Sequence, residues 1–266
     1  MLGSHFMDLT PAFFDRWREH RELHYMDRVR EVFAQADPDE DWLQGARRRA
    51  RVMETAASLR HSGVEVGEPE GDAAVLLEGA TENVGAADVV ALRAYAAAYD
   101  VALTAAHEQA PLTPALLDDL HARICSGGPQ ARTDGDVAAL CDWLAAPPAG
   151  GHPAVVAALA HLELLRIRRW ADGNARLARL VLLLLLDREG YGYFDLLAPS
   201  VAWRDPRKQL DVAIEQLPSN AAQTHPLTEH VVHDAATAVR DMVAWVRAEE
   251  APGSLQALLF GSPLQP

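Results

Sequence analysis

Hydrophobic positions recur at helical spacing along nearly the whole chain, and the strict alternation of a half-buried strand is almost absent. Thr10-Pro11 and Thr113-Pro114 each read as an N-cap followed by proline in the first helical turn. After the first, Phe14, Trp17, Tyr25, Val29, Val32 and Phe33 form an amphipathic stretch. A second helix is expected after Pro38, running through Trp42 and the arginines between Arg47 and Arg51, which read as a solvated face. Further helices are expected over about 72–80, 86–108, 114–125, 135–145, 153–168, 174–188, 199–217 and 228–249. Gly127-Gly128-Pro129, Pro147-Pro148, Gly150-Gly151 and Gly190 punctuate them. The pattern is that of an all-α protein.

The clearest linker is the polar, glycine-rich stretch from Ser62 to Gly71. It divides the chain into an N-terminal helical hairpin, residues 1–66, and a main helical domain, residues 67–266. With 49% hydrophobic residues the chain can bury a sizeable core. Lysine plus arginine number 24 against 38 acidic residues, a formal net charge of −14. Such a surface repels nucleic-acid backbones and anionic membranes, so neither is an expected partner. Cys125 and Cys141 match no zinc spacing and make no disulfide scaffold. The first residues lack the basic start and apolar stretch of a secretory signal, and the longest apolar run, Leu180 to Leu186, is too short for a bilayer. A cytoplasmic location is the expectation, and the oligomeric state stays open.

The chemically informative region runs from His152 to Gly192. A helix ending at Arg166-Ile167-Arg168-Arg169 meets a short turn, Trp170-Ala171-Asp172-Gly173, and a very apolar helix starts near Asn174. A helix start leaves backbone N–H groups unpaired and carries partial positive charge, which makes it a natural anion site. Arg176 and Arg179, three apart, share a face and offer fork-shaped donors suited to phosphate oxygens. Asp172 stands where a carboxylate can hold Mg²⁺ against phosphates. A plainer reading also exists: Asp-Gly-Asn as an ordinary turn, Asn174 as an N-cap and the arginines paired to acids. His230 and His233 could share a helix face as metal ligands do, but no second ligand pair accompanies them, and they read as surface histidines.

The stretch from Arg168 to Arg179 resembles the signature of the Fic/Doc family, His-Pro-Phe-x-(Asp/Glu)-Gly-Asn-Gly-Arg with a further arginine shortly after. Ala160-His161-Leu162-Glu163 before it and Leu182 to Tyr191 after it are similar to the family's flanking helices. Val75-Leu76-Leu77-Glu78-Gly79 resembles the core of the family's inhibitory helix, and Arg132-Thr133 the start of its target-positioning flap. The resemblance covers residues about 72–217 and implies a Fic-like helical bundle with an N-terminal helical extension. It implies ATP as ligand and AMP transfer to a hydroxyl of a target protein. In that frame Asp172 is the magnesium-binding acid, Gly173, Asn174 and Ala175 supply the anion-hole backbone, and Arg176 and Arg179 contact phosphates. Glu78 is then the regulatory glutamate facing Arg179.

Three positions depart from the family pattern. The catalytic histidine is replaced by Arg168, the glycine before Arg176 by Ala175, and the serine or threonine opening the inhibitory motif by Ala74. Arginine remains protonated at physiological pH and takes no proton from a hydroxyl. Three readings therefore stay open. One is an enzyme that binds a nucleotide or other phosphorylated small molecule, with Arg168 acting electrostatically in a transferase-like or phosphate-dependent reaction. Another is a non-catalytic Fic-fold binding module. The third is AMP transfer to a protein substrate with a surrogate base.

Overall fold

The structure is a computed structural model that describes residues 9–64, 86–125, 137–147, 149–203, 221–249 and 255. The expected helix at 72–80, with Glu78, and the flap residues Arg132 and Thr133 lie outside these. The described residues contain helices and no strand. In chain order they are α1 (Pro11–Asp15), α2 (Arg21–Ala34), α3 (Glu40–His61), α4 (Ala86–His107), α5 (Pro114–Ile124) and α6 (Val137–Ala145). There follow α7 (Pro153–Ile167), α8 (Asn174–Leu186), α9 (Pro199–Ala202) and α10 (Ala221–Ala248).

The bundle is organised around α8. Every residue from Leu177 to Leu186 is buried, as a run apolar on all sides requires. Its most extensive partner is α7, which is itself buried over most of its length, and α4, α5, α3 and α9 complete the enclosure. Each enclosed leucine contributes about 1.5–3 kcal/mol of apolar burial. Thr113 caps α5 by accepting from the Leu116 amide at 3.2 Å, and Asp39 caps α3 by accepting from Trp42 at 2.9 Å. The N-terminal helices share the same core: Phe14, Trp17, Met26, Val29, Leu43 and Leu59 join one cluster with the main domain.

α4 contains the stretch Ala87–His107, long and apolar enough by length and composition to cross a bilayer. Here Leu92, Tyr95 and Ala98 are fully enclosed by protein.

Four details depart from the sequence pattern. The first amphipathic stretch is two helices, because Phe13 and Trp17 dock on His225 of α10, with Trp17 stacked at 4.9 Å, and the chain turns between α1 and α2. Expected at 228, α10 already begins at Ala221 and carries Pro226 inside it. The helix opening at Pro199 stops at Ala202, since Trp203 leaves helical geometry and turns its ring onto His161 at 5.0 Å; the rest of the expected stretch, 204–217, lies outside the described residues. The basic run of α3 is paired rather than merely solvated: Arg49 meets Glu249 at 2.8 Å and Arg51 meets Asp100 at 2.6 Å. His230 and His233 are exposed, as surface histidines are, and face Asp234 and Glu22 respectively.

Candidate functional site

The turn between α7 and α8 is built by two reversals of backbone hand. Arg168 closes α7 in the left-handed region (φ 46°, ψ 47°), and Gly173 opens α8 at φ 78°. A non-glycine residue in that region is uncommon and costs energy that its surroundings must offset. Gly173 has no alternative: a Cβ there would lie 2.5 Å from Cys125 Sγ and 3.2 Å from His121 Nε2.

Side chains then lock the turn. Asn174 bridges the Trp170 backbone, accepting from its N–H at 3.1 Å and donating to its carbonyl at 2.7 Å. The Trp170 ring lies flat on His121, centroids 4.6 Å apart and planes 11° from parallel. His121 Nε2 donates to the Asp172 carbonyl at 2.7 Å, which fixes its tautomer, and burial holds its pKa below the ordinary value. Asp118 accepts from the Trp170 indole and from Arg169, each at 3.2 Å. His121 and Asp118 were invisible as loop supports in the sequence. They lie some fifty positions away on α5, and only the Thr113-Pro114 start of that helix hinted at its register.

Beside the turn opens a cavity of about 670 Å³. Every loop residue expected in the site lines it: Arg168, Asp172, Gly173, Asn174, Ala175, Arg176 and Arg179. The opposite wall comes from His61, Ser62 and Asp88 and from Trp203. The α8 start has no side-chain cap, so its first amides remain available to this space.

The guanidinium groups are arranged differently from one another. Arg176, 12% exposed in its side chain, pairs with Asp172 Oδ2 at 2.9 Å and reaches Cys125 Sγ at 3.6 Å. Arg179 is buried and donates to the Ser58 hydroxyl at 2.8 Å, the Ser58 carbonyl at 2.7 Å and the Ser62 hydroxyl at 2.8 Å. The phosphate contacts expected of these two arginines thus coincide with internal pairings; among the described residues, Ser58 of α3 and Ser62 just after it hold Arg179. Arg166 is paired to Glu163 and Arg169 to Asp118. Arg168 is exposed at the cavity wall and makes no ion pair or hydrogen bond through its side chain among the described residues.

Among the described residues, no histidine of the cavity stands ready as a base. Of its two histidines, His61 sits with Nε2 2.7 Å from the Ser200 carbonyl. His161 is 1% exposed, its ring packs against Trp203, and burial pushes its pKa down to about 4. A deeper network supports the wall: Glu54, fully buried, accepts from Ser200 N at 2.9 Å, Ser200 Oγ at 2.6 Å and Tyr95 Oη at 3.2 Å.

Residues 111–186, the segment holding α5 to α8 and this turn, match the model of the Fic/DOC family. That segment is a Fic/DOC-family segment. The surrounding helices follow the same fold. A Fic family protein from Desulfovibrio desulfuricans G20 superimposes with a TM-score of 0.66 at 21% identity, over 90% of this chain and 76% of the other. Fic-1 from C. elegans matches with a TM-score of 0.67 at 17% identity, over 85% of this chain and 71% of that one. A Fic domain containing signaling protein from Bacteroides thetaiotaomicron VPI-5482 matches at 0.63 and 16% identity, over 87% of this chain and 99% of its own. No curated protein matches the sequence.

Proposed function

We propose that the chain binds a nucleotide or another phosphorylated small molecule at the Asp172–Arg179 turn and acts on it electrostatically rather than through a histidine base. The observation that carries this reading is Arg168. The resemblance aligns it with the family's base, and it is held in a left-handed conformation at the cavity wall with no ion-pair partner among the described residues. A permanent cation there stabilises negative charge on a bound or reacting phosphate, and it abstracts no proton.

The uncapped α8 amides supply the remaining donors, and Arg176 the second cation. Asp172 fits a magnesium ion only in company with ligand oxygens. It is a single exposed carboxylate at the cavity edge, and Mg²⁺ is commonly held by one or two carboxylates together with phosphates. Bound there, the ion would offset phosphate charge. The chain's own residues position the anion: Gly173 admits it to the backbone, Asn174 fixes the turn, and Trp170 anchors the turn on His121.

Binding without turnover is the second reading, favoured by the internal pairing of Arg176 with Asp172 and of Arg179 with Ser58 and Ser62. AMP transfer with a surrogate base ranks below both, because His61 and His161, the cavity's histidines, are respectively engaged and enclosed. Incubating the protein with nucleotides and phosphorylated metabolites, followed by mass spectrometry of the small molecules, separates the readings. A converted product that disappears in Arg168→Ala supports the first; ligands recovered intact after saturable binding support the second. Absence of saturable binding to all of them rejects both.

A further inference from the structure

At the far end of α8, His107, Asp187 and Asp195 converge. They come from the end of α4, the wide turn Asp187–Tyr191 that continues α8, and the left-handed turn that follows it. Thirteen residues of α8 at about 1.5 Å each separate this cluster from the anion turn by roughly 20 Å, so it is no part of that site.

The cluster has an electrostatic fault that hydrogen bonding does not repair. His107 Nε2 lies 2.8 Å from Asp195 Oδ1 and 3.2 Å from Asp187 Oδ2. One imidazole nitrogen carries at most one hydrogen, and it is aligned on Asp195. Asp187 Oδ2, on a side chain only 6% exposed, has no hydrogen bond among the described residues while pointing at the same nitrogen. The chain makes room for that carboxylate: a Cβ at Gly192 would stand 1.5 Å from Asp187 Oδ1. The Arg47 Nε, 3.3 Å away, offsets Asp195 through its other oxygen, Oδ2, leaving Oδ1 directed at the cluster.

We propose that His107 Nε2, Asp187 Oδ2 and Asp195 Oδ1 form a site for a divalent metal ion of zinc type, with a solvent molecule completing the shell. One imidazole nitrogen with two carboxylate oxygens is a borderline N/O donor set suited to zinc. Ligand atoms about 2.0–2.1 Å from a tetrahedral ion stand about 3.3 Å from one another. The observed 2.8 and 3.2 Å from the imidazole need a slight opening, and all three ligand atoms lie within 4.8 Å of one another. A cation gives the buried Asp187 oxygen the partner it lacks, and Arg47 limits the excess negative charge around it. His107 is 55% exposed in its side chain, which leaves an entry path and an open coordination position. Metal there ties the end of α4 to the two turns after α8.

The test is calorimetric titration of the chelator-treated full chain with zinc chloride at neutral pH, with thermal melts and cobalt(II) absorption alongside. The wild type takes up one ion saturably, melts at a higher temperature with zinc than without, and gives cobalt(II) the intense visible bands of a low-coordinate centre. His107→Gln and Asp187→Asn each lower zinc affinity more than about tenfold, since loss of even an outer-shell partner costs 10–100-fold. His107→Gln alters an exposed side chain, so its metal-free melt stays close to wild type. His233→Gln, at the exposed histidines of α10, leaves the high-affinity ion in place. Absence of saturable binding, undiminished affinity in both ligand variants, or loss of the ion in His233→Gln would each overturn the proposal.

Discussion

Asp172 and Arg176 form a 2.9 Å ion pair across one turn at the mouth of the cavity, although the carboxylate is 83% exposed and the guanidinium only 12%. With its carboxylate open to solvent the pair is screened and contributes little to stability, so Arg176 can exchange it for a stronger anion. Its meaning is that the acid expected to hold a metal and the arginine expected to hold phosphate meet each other first.

Asp172→Asn separates those roles. The variant frees Arg176 from its partner and removes one negative charge from the cavity. Affinity for ATP without magnesium is expected to rise several-fold, whereas any enhancement by magnesium disappears. Calorimetry with and without the ion checks both. An unchanged magnesium response would remove Asp172 from the metal role.

Gly173→Ala tests the turn itself. Left-handed geometry costs a non-glycine residue about 1–2 kcal/mol, before the contact with Cys125 is counted. The expected destabilisation is therefore about 2 kcal/mol or more, read from urea unfolding. A loss under about 0.5 kcal/mol would mean that the turn relaxes freely.

Burial of His161 makes stability depend on pH. Its folded pKa, about 4, lies below the ordinary 6.5, so the unfolded chain binds the extra proton first. Stability from this group is complete above pH 6.5 and falls as pH drops toward 4, by at most about 3 kcal/mol. His161→Leu should flatten that part of the profile relative to wild type. Parallel profiles for the two proteins between pH 7 and 4.5 would contradict the enclosed, neutral state.

Glu54→Ala strands the Ser200 amide and hydroxyl and leaves a void beside Tyr95. Loss of about 3 kcal/mol is expected, because buried donors without acceptors are costly. The damage should be felt at the cavity as well, through Ser200 and the neighbouring Trp203, as a weakened ligand affinity. Wild-type affinity in a destabilised variant would show that the network supports the fold alone.

Much of this was legible in the chain. Proline and threonine set the starts of α1 and α5, and glycine set the turn at Gly173, because these signals are local. The Arg168 to Arg179 sequence was sufficient to forecast a cavity at the α8 start, since helix termini expose amides whatever surrounds them. What escaped was everything decided by distant partners. The seats of Arg179 on Ser58 and Ser62, of Trp170 on His121, and of Trp17 on His225 join residues that no spacing rule connects. The cluster of His107, Asp187 and Asp195 was hidden for the same reason.

The account rests on a phosphate-selective cavity at the start of α8. Calorimetric titration of wild type and Arg176→Ala with a panel of nucleotides and phosphorylated metabolites, at two salt concentrations, tests it most directly. The predicted result is saturable binding of at least one compound to the wild type, weakened more than about tenfold by the substitution and weakened again by salt. Equal binding by both proteins, or no binding to any compound in the panel, would contradict it.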